Sequence, residues 1–403
     1  MEEGKGMRCE DILRVGSGTF ETPAYIFDLD TLYHRVASVK EQFGENVILC
    51  YAMKANPFLV GPLCKMIEKF EVCSPGEFRI CERADLDMHK VVLSGVYKNE
   101  ADMQSVVHFY ESQPTYTIES MEQYRLLKRC ATEEKIQIEA LVRLSSKNQF
   151  GVDKKVLEQI LEDAANDSHV RIKGLQFYSG TQKRNASQMI AEIDALNTYS
   201  MELEKRFAVR FEELEYGPGL YTSYFNNEDA QDDIILQEFA KAMREINFHG
   251  KIILEMGRLI AAACGLYITS IVDIKETEGI RYCIVDGGIH QVNYYGQTMA
   301  MRTPDIEQIP ERTDQEAKYT ICGSLCTVSD LLAKQFPLSG AKPGDMLVFK
   351  KAGAYSVTEG IALFLSRDLP GVYYYSEEEG LKKVRSKQPT DIMNSVMGME
   401  IEQ

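Results

Sequence analysis

The sequence predicts an α/β chain: a closed (β/α)8 barrel of TIM-barrel architecture, followed by a mostly-β domain. Three observations carry this. Between about residues 30 and 265, short apolar or β-branched runs alternate with amphipathic stretches one helix long. There are eight such runs, the number that closes a barrel of this kind. Beyond residue 265 the long amphipathic stretches stop while strand-like runs continue. The same alternation permits a doubly wound open sheet as a second reading. The expected division is 30–265 for the barrel, with 1–29 and 266–403 forming a β-rich domain completed by an N-terminal strand.

Taken in order, Thr22–Asp28 (TPAYIFD) reads as a strand with no slot in the barrel, so it is expected to join the β-rich domain. The barrel strands are expected at Val47–Ala52, Phe70–Cys73, Val91–Leu93, Thr115–Ile118, Glu139–Leu144, Lys173–Tyr178, Glu213–Tyr216 and Lys251–Glu255. Helices are expected at Glu100–Tyr110, Met121–Ala131, Lys155–Asn166, Ala186–Phe207 and Asp232–Phe248. Later strands are expected at Tyr267–Lys275, Tyr282–Val285, Lys318–Ile321, Asp345–Phe349 and Val372–Tyr375, with turns at Pro343-Gly and Pro370-Gly.

Bulk properties narrow the function classes. The 403 residues are 44% hydrophobic, enough for a real core. A net charge of −16 argues against nucleic acid and anionic membrane surfaces as partners. No apolar run has the length of a membrane span, and the opening MEEGKGMRCED has no apolar signal region, so a cytoplasmic location is expected. The ten cysteines, Cys9 among them, form no CxxC pair and read as reduced thiols. The six histidines (His34, His89, His108, His169, His249, His290) fall in no metal-ligand spacing, so no metal is expected.

Barrels of this kind carry their chemistry at the C-terminal tips of the strands. Here the tips deliver Lys54 in YAMKANP, Arg143, Tyr178-Ser-Gly-Thr-Gln182, Tyr216-Gly-Pro-Gly-Leu220 and Glu255-Met-Gly-Arg258. Each has a plain structural alternative: a solvated strand end for the lysine, a turn for Gly-Pro-Gly, a bend for Met-Gly. Together they place an amine, a guanidinium, an aromatic ring, two Gly-containing turns and a carboxylate at one mouth. Backbone N–H groups of Gly-rich turns cradle phosphate, a lysine forms Schiff bases with aldehydes, and a carboxylate keeps a ring nitrogen protonated. Phosphate, aldehyde and ring nitrogen are the three handles of pyridoxal 5′-phosphate (PLP).

Across roughly residues 22–376 the motifs TPAYIFDLDTL, YAMKANP, EVCSPGEF, LSGVYKNE, GLQFYSGTQ, EYGPG, LEMGRL, VDGGIH, CGSLCTVSDLL and AGAYS follow one another. In this the chain resembles the fold type III PLP-dependent decarboxylases, the diaminopimelate, ornithine and arginine decarboxylase family with a barrel of alanine-racemase type. The resemblance implies that Lys54 forms the Schiff base. It implies that Tyr178 stacks on the ring, in the slot where most members carry histidine. Thr181, Gly217 and Gly219 would cradle the phosphate, with Gly257, Arg258 and Tyr355 beside it. Glu255 would pair with the ring nitrogen, and Arg143 would lie near the ring. Cys326, donated by the partner subunit of a homodimer, would protonate the carbanion.

Three departures bear on substrate. Besides Tyr178, Thr327 stands where the family carries an acid for a distal amino group, and the loop from Arg143 to Gly151 is shorter than the family's. The pattern is similar to the subgroup that decarboxylates glutamate tethered to an acyl-carrier protein in butirosin-type antibiotic biosynthesis. Docking an acidic carrier would need a basic patch, for which Lys334, Lys342, Lys350, Lys351 and Arg367 are candidates. Asp286 and Glu359 are further candidates to meet substrate, each with a turn or solvated acid as its alternative. The readings in play are decarboxylation of an amino acid or of its carrier-linked form, diaminopimelate decarboxylation, racemisation on the same fold, and a non-catalytic binding protein.

Overall fold

A computed structural model describes residues 21–396 except 46 and 229, so Cys9 and most of the expected N-terminal segment lie outside the described residues. The chain divides into two compact units, residues 35–222 with 230–260 and residues 21–34 with 223–228 and 261–396.

The first unit holds a closed barrel of eight parallel strands: β2 (Val47–Ala52), β3 (Lys69–Val72), β4 (Val91–Leu93), β5 (Thr115–Ile118), β6 (Ile138–Leu144), β7 (Val170–Tyr178), β8 (Glu213–Gly217) and β9 (Lys251–Met256). Closure is made where β2 pairs β9, Cys50 lying opposite Glu255. The open-sheet reading is thereby set aside. α1 (Leu29–Phe43) precedes β2. The connecting helices are α2 (Pro75–Arg83), α3 (Glu100–Tyr110), α4 (Met121–Glu134), α5 (Lys154–Ala164), α6 (Ala186–Phe207) and α7 (Asp232–Met243).

Their starts follow local chemistry. Ser74, Asn99, Ser120, Asp153 and Asn185 each accept a backbone N–H in the first turn of the helix that follows. On the barrel strands Cys50, Val92, Leu141 and Ile253 pack together as a buried apolar cluster.

The second unit is a nine-stranded sheet. β1 (Ala24–Asp28) lies between β10 (Gly265–Thr277), antiparallel, and β16 (Gly371–Ser376), parallel. β11 (Ile280–Val285), β13 (Glu316–Cys322) and β14 (Leu331–Ser339) extend one side, and β17 (Gly380–Arg385) ends the other. β12 (Ile306–Ile309) pairs β15 (Met346–Phe349), which pairs β10. Ala24, Ile26, Ile268, Val348, Tyr373 and Tyr375 pack as one core on this sheet.

Several expected bounds move. β3 runs one residue earlier, ending at Val72, because Cys73 N turns to donate to Glu77 Oε2 at 2.6 Å. β7 begins at Val170, since Ile138 N reaches back to His169 O. α7 stops at Met243, where Arg244 closes the helix, rather than at Phe248. β12, β14 and β17 were not expected. Their polar residues at IEQI, LLAKQFPLS and GLKKVR break the alternation a strand shows when one face is buried.

Candidate active site

Lys54 sits in a single 3-10 turn, Met53–Ala55, immediately after β2. Met53 and Ala55 are fully buried, which leaves Lys54 to project from the mouth with its side chain 40% exposed. Ala-Asn-Pro ends the strand for a local reason. Asn56 is extended, accepts Phe58 N at 3.1 Å, and starts a second turn with Pro57 at its first position.

Two carboxylates meet this amine. Lys54 Nζ donates to Glu71 Oε2 at 2.6 Å and to Glu255 Oε1 at 3.4 Å, with Cys73 Sγ 4.0 Å away. Glu71 is 1% exposed, yet its carboxyl is held down at about 2: burial opposes ionisation, and the Lys54 ammonium and a hydrogen bond from Glu255 outweigh it. Glu255 goes the other way. Burial, then the negative charge of Glu71, raise it well above the usual carboxylate range, which favours its protonated form. Burial followed by the Glu71 charge also raises the Cys73 thiol.

The tips of β7, β8 and β9 complete the mouth. The Tyr178 hydroxyl bonds the Thr181 side chain, and burial raises its pKa. A Cβ on Gly217 would stand 2.6 Å from the Tyr178 ring, so glycine is what lets the ring lie there. Gly219 has φ +61, and a Cβ on it would come within 1.9 Å of Gly180 O. The turns after β7 and β8 are thus in backbone contact. Gly257 packs against Ala55 and Ala52, bringing the start of the Arg258 turn beside the Lys54 segment. Arg143 lies 8% exposed, 3.4 Å from Glu119 and 4.9 Å from the centre of the Phe150 ring. The short loop folds back here: Val152 N donates to Arg143 O at 2.8 Å, and Gly151 N to Glu119 Oε2 at 3.3 Å.

Three charged residues, Glu71 and Glu215 on barrel strands and Lys98 in the loop after β4, carry no role in the sequence analysis although they lie within its motifs. Glu71 is a lone acid within the apolar strand KFEV, the one signal that pointed to it. Glu215 is buried and accepts Gln176 Nε2 at 2.6 Å; burial and the Glu71 charge push it up to about 7. Lys98, which donates to Gly95 O at 2.8 Å, is pushed down to about 8 by burial.

The remaining candidates belong to the β-rich unit. Cys326 is exposed, on the loop after β13. Asp330 ties that loop down, its carboxylate accepting Ile289 N at 2.9 Å and Leu325 N at 2.8 Å. Thr327 hydrogen-bonds the Ser329 hydroxyl at 3.0 Å. Tyr355 holds φ +67 in the turn after β15. Asp286 is engaged by Thr269 Oγ1 and Thr22 Oγ1, both at 2.6 Å, and by Ser270 N. Glu359 is exposed, its N–H donating to Tyr355 O. Of the basic candidates, Lys350 pairs Glu307, Lys351 donates to Ser223 O and Arg367 to Ser324 O, so three of the five are engaged within this unit. Among the described residues no group of three metal-ligating side chains comes together, and no helix is long and apolar enough to cross a membrane.

Residues 29–262 match the family model described as the pyridoxal-binding domain of pyridoxal-dependent decarboxylases. The chain belongs to that family. Its cofactor is PLP, and it is an amino-acid decarboxylase. This decarboxylase is 25% identical over 383 residues to the L-glutamyl-[BtrI acyl-carrier protein] decarboxylase of Niallia circulans, covering 87% of this chain and 88% of that one. It is 26% identical to the diaminopimelate decarboxylase of Pseudomonas aeruginosa, covering 83% of each. Among solved structures, the M. jannaschii diaminopimelate decarboxylase with L-lysine superposes with a TM-score of 0.83 at 21% identity, covering 96% of this chain and 94% of that one. The barrel mouth suits the cofactor on its own geometry. A reachable amine lies between two acids, one of them pushed towards its protonated form, and the two glycine turns after β7 and β8 are in backbone contact.

Proposed function

We propose that the decarboxylase removes the α-carboxylate of an amino acid, free or linked to an acyl-carrier protein, with Lys54 as the Schiff-base lysine and Cys326 of a second copy as proton donor. The observation that carries this is the Lys54 amine held between Glu71 and Glu255. Bound there, PLP supplies the electron sink for the pair left on Cα when CO2 departs.

The chain's own groups do the rest. Glu71 orients the amine. Glu255, whose burial favours the protonated form, is placed to hold a proton for the ring nitrogen. Tyr178 offers an aromatic face, and Thr181, Gly217 and Gly219, with Gly257, Arg258 and Tyr355, are assigned to the phosphate. The bond from Cα to the carboxylate carbon breaks, and Cα takes a proton from Cys326 Sγ, which regains one from water. Such general acid transfer is worth ~10²–10⁴-fold.

The substrate assignment leans on Thr327, which offers a hydroxyl and no charge to a distal ammonium, on the short loop after Arg143, and on the Niallia circulans relative. Carrier-linked glutamate is the expected substrate, and the diaminopimelate decarboxylase relatives make diaminopimelate the alternative. A kinetic panel of both compounds, lysine, ornithine and free glutamate decides between them. Fast turnover of diaminopimelate would remove Thr327 from the account. Lys54→Ala, purified from cells, should lack the visible absorbance of lysine-bound pyridoxal and release no CO2. A variant that kept both would overturn the role of Lys54.

A further inference from the structure

We propose that Glu192, on α6, is a positioning residue that holds the two phosphate-cradling turns at their working separation, with Lys183 as its counter-charge. This rests on the reading that Thr181, Gly217 and Gly219 meet the cofactor phosphate. The Glu192 carboxylate collects side chains from either side of the turn after β7 and from the start of the turn after β8. Ser179 Oγ donates to Oε1 at 2.8 Å, Lys183 Nζ to Oε2 at 2.6 Å, and the Tyr216 hydroxyl to Oε2 at 2.7 Å. Gln188 Nε2 adds a bond to Oε1 at 3.1 Å from the same helix. Ser179 immediately precedes Gly180 and Thr181, Lys183 follows them, and Tyr216 immediately precedes Gly217. One carboxylate therefore brackets the turn after β7 and fixes the entry to the turn after β8.

The backbones it brackets are already touching: Lys183 N donates to Gly219 O at 2.8 Å. The pair is largely withdrawn from water, with side-chain exposures of 6% for Lys183 and 18% for Glu192. Burial works against the Glu192 charge, but the bonds from Lys183, Tyr216 and Ser179 outweigh it and keep the carboxyl below its usual range. Removing the charge strands the Lys183 ammonium, and the turns lose their common anchor. A cradle of backbone N–H groups binds one anion only when those groups converge, so slack between the turns falls on phosphate affinity in particular.

The test compares PLP with pyridoxal, which has the same ring and aldehyde and no phosphate, titrated into apoenzyme and read by absorbance. Glu192→Gln should weaken PLP by about 10- to 100-fold, the worth of one or two charge-assisted bonds, and leave pyridoxal within about twofold. Equal losses for both ligands, or no loss for either, would overturn the proposal. Failure of the phosphate reading looks different, since Gly219→Ala in the otherwise wild-type protein would then weaken PLP and pyridoxal alike. If Glu192→Gln does not fold, Tyr216→Phe and Ser179→Ala each remove one arm. Each should show a smaller loss, about two- to tenfold, confined to PLP, and a loss shared with pyridoxal in both overturns the proposal.

Discussion

At the scale of single residues, Glu71, Glu215 and Glu255 lie close enough in the barrel to act on one another, and burial with their mutual repulsion pushes two of them towards the protonated form. Glu71 takes the charge because Lys54 is 2.6 Å away, and Glu255 and Glu215 are pushed towards their acid forms. Glu215 gives a measurable consequence. Burial and the charge of Glu71 raise it from 4.5 to about 7, so between those values the folded state binds more protons than the unfolded state. Stability therefore falls as pH climbs from about 4.5 through about 7. Glu215→Gln keeps an acceptor for Gln176 Nε2 and does not titrate. It should be more stable than the wild-type protein by up to about 3 kcal/mol near pH 8, with the advantage vanishing near pH 4.5. Denaturant unfolding of the apoenzyme across that range checks this, and a difference that stayed flat with pH would show that Glu215 holds no proton on folding.

Lys54, Arg143, Tyr178 and Glu255 were legible because each stands at or just past the end of a strand, and strand ends share a mouth in a barrel. Glu71 and Glu215 were not. An acid inside a strand says nothing of what it faces until closure sets one strand's interior against another's.

At the scale of elements, the turns after β7 and β8 meet backbone to backbone, and the proposed cradle depends on that contact. Gly219 is required twice over, by φ +61 and by the 1.9 Å approach of a Cβ to Gly180 O. Gly219→Ala should lower stability by about 2 kcal/mol or more and abolish retention of PLP through purification. Thermal melts with absorbance of the purified protein read both effects, and a variant that kept the cofactor would take Gly219 out of the cradle. The Gly-Pro-Gly motif was visible as a turn, but its partner was not: only the register of β7 against β8 brings Gly180 to it. The same limit hid β12, β14 and β17. Barrel strands, buried on both faces, announce themselves as continuous apolar runs. Strands such as GLKKVR, at the edge of the second sheet, bury little and read as loop.

At the scale of the whole molecule, the proposed donation of Cys326 from a second copy makes activity a property of a pair of chains. Lys54→Ala and Cys326→Ala homodimers would each lack one group at both sites. Subunits of the two variants, mixed and reassociated, should recover activity to about a quarter of the wild-type value, because half the dimers are hybrids with one intact site of two. No recovery, from variants shown by sedimentation to exchange subunits, would mean that Lys54 and Cys326 of one site come from the same chain.

The sequence by itself determined the barrel, the β-rich partner unit, the cofactor class and the groups at the strand tips. All of these follow from local periodicity and from residue types at fixed offsets along the chain. Only the tertiary structure decided which acid is held in its charged form and which is pushed towards its protonated form, and that Glu192 reaches across to three side chains around two turns. Those outcomes depend on burial and on distances of a few ångströms between residues up to two hundred positions apart, and no pattern along the chain encodes such distances.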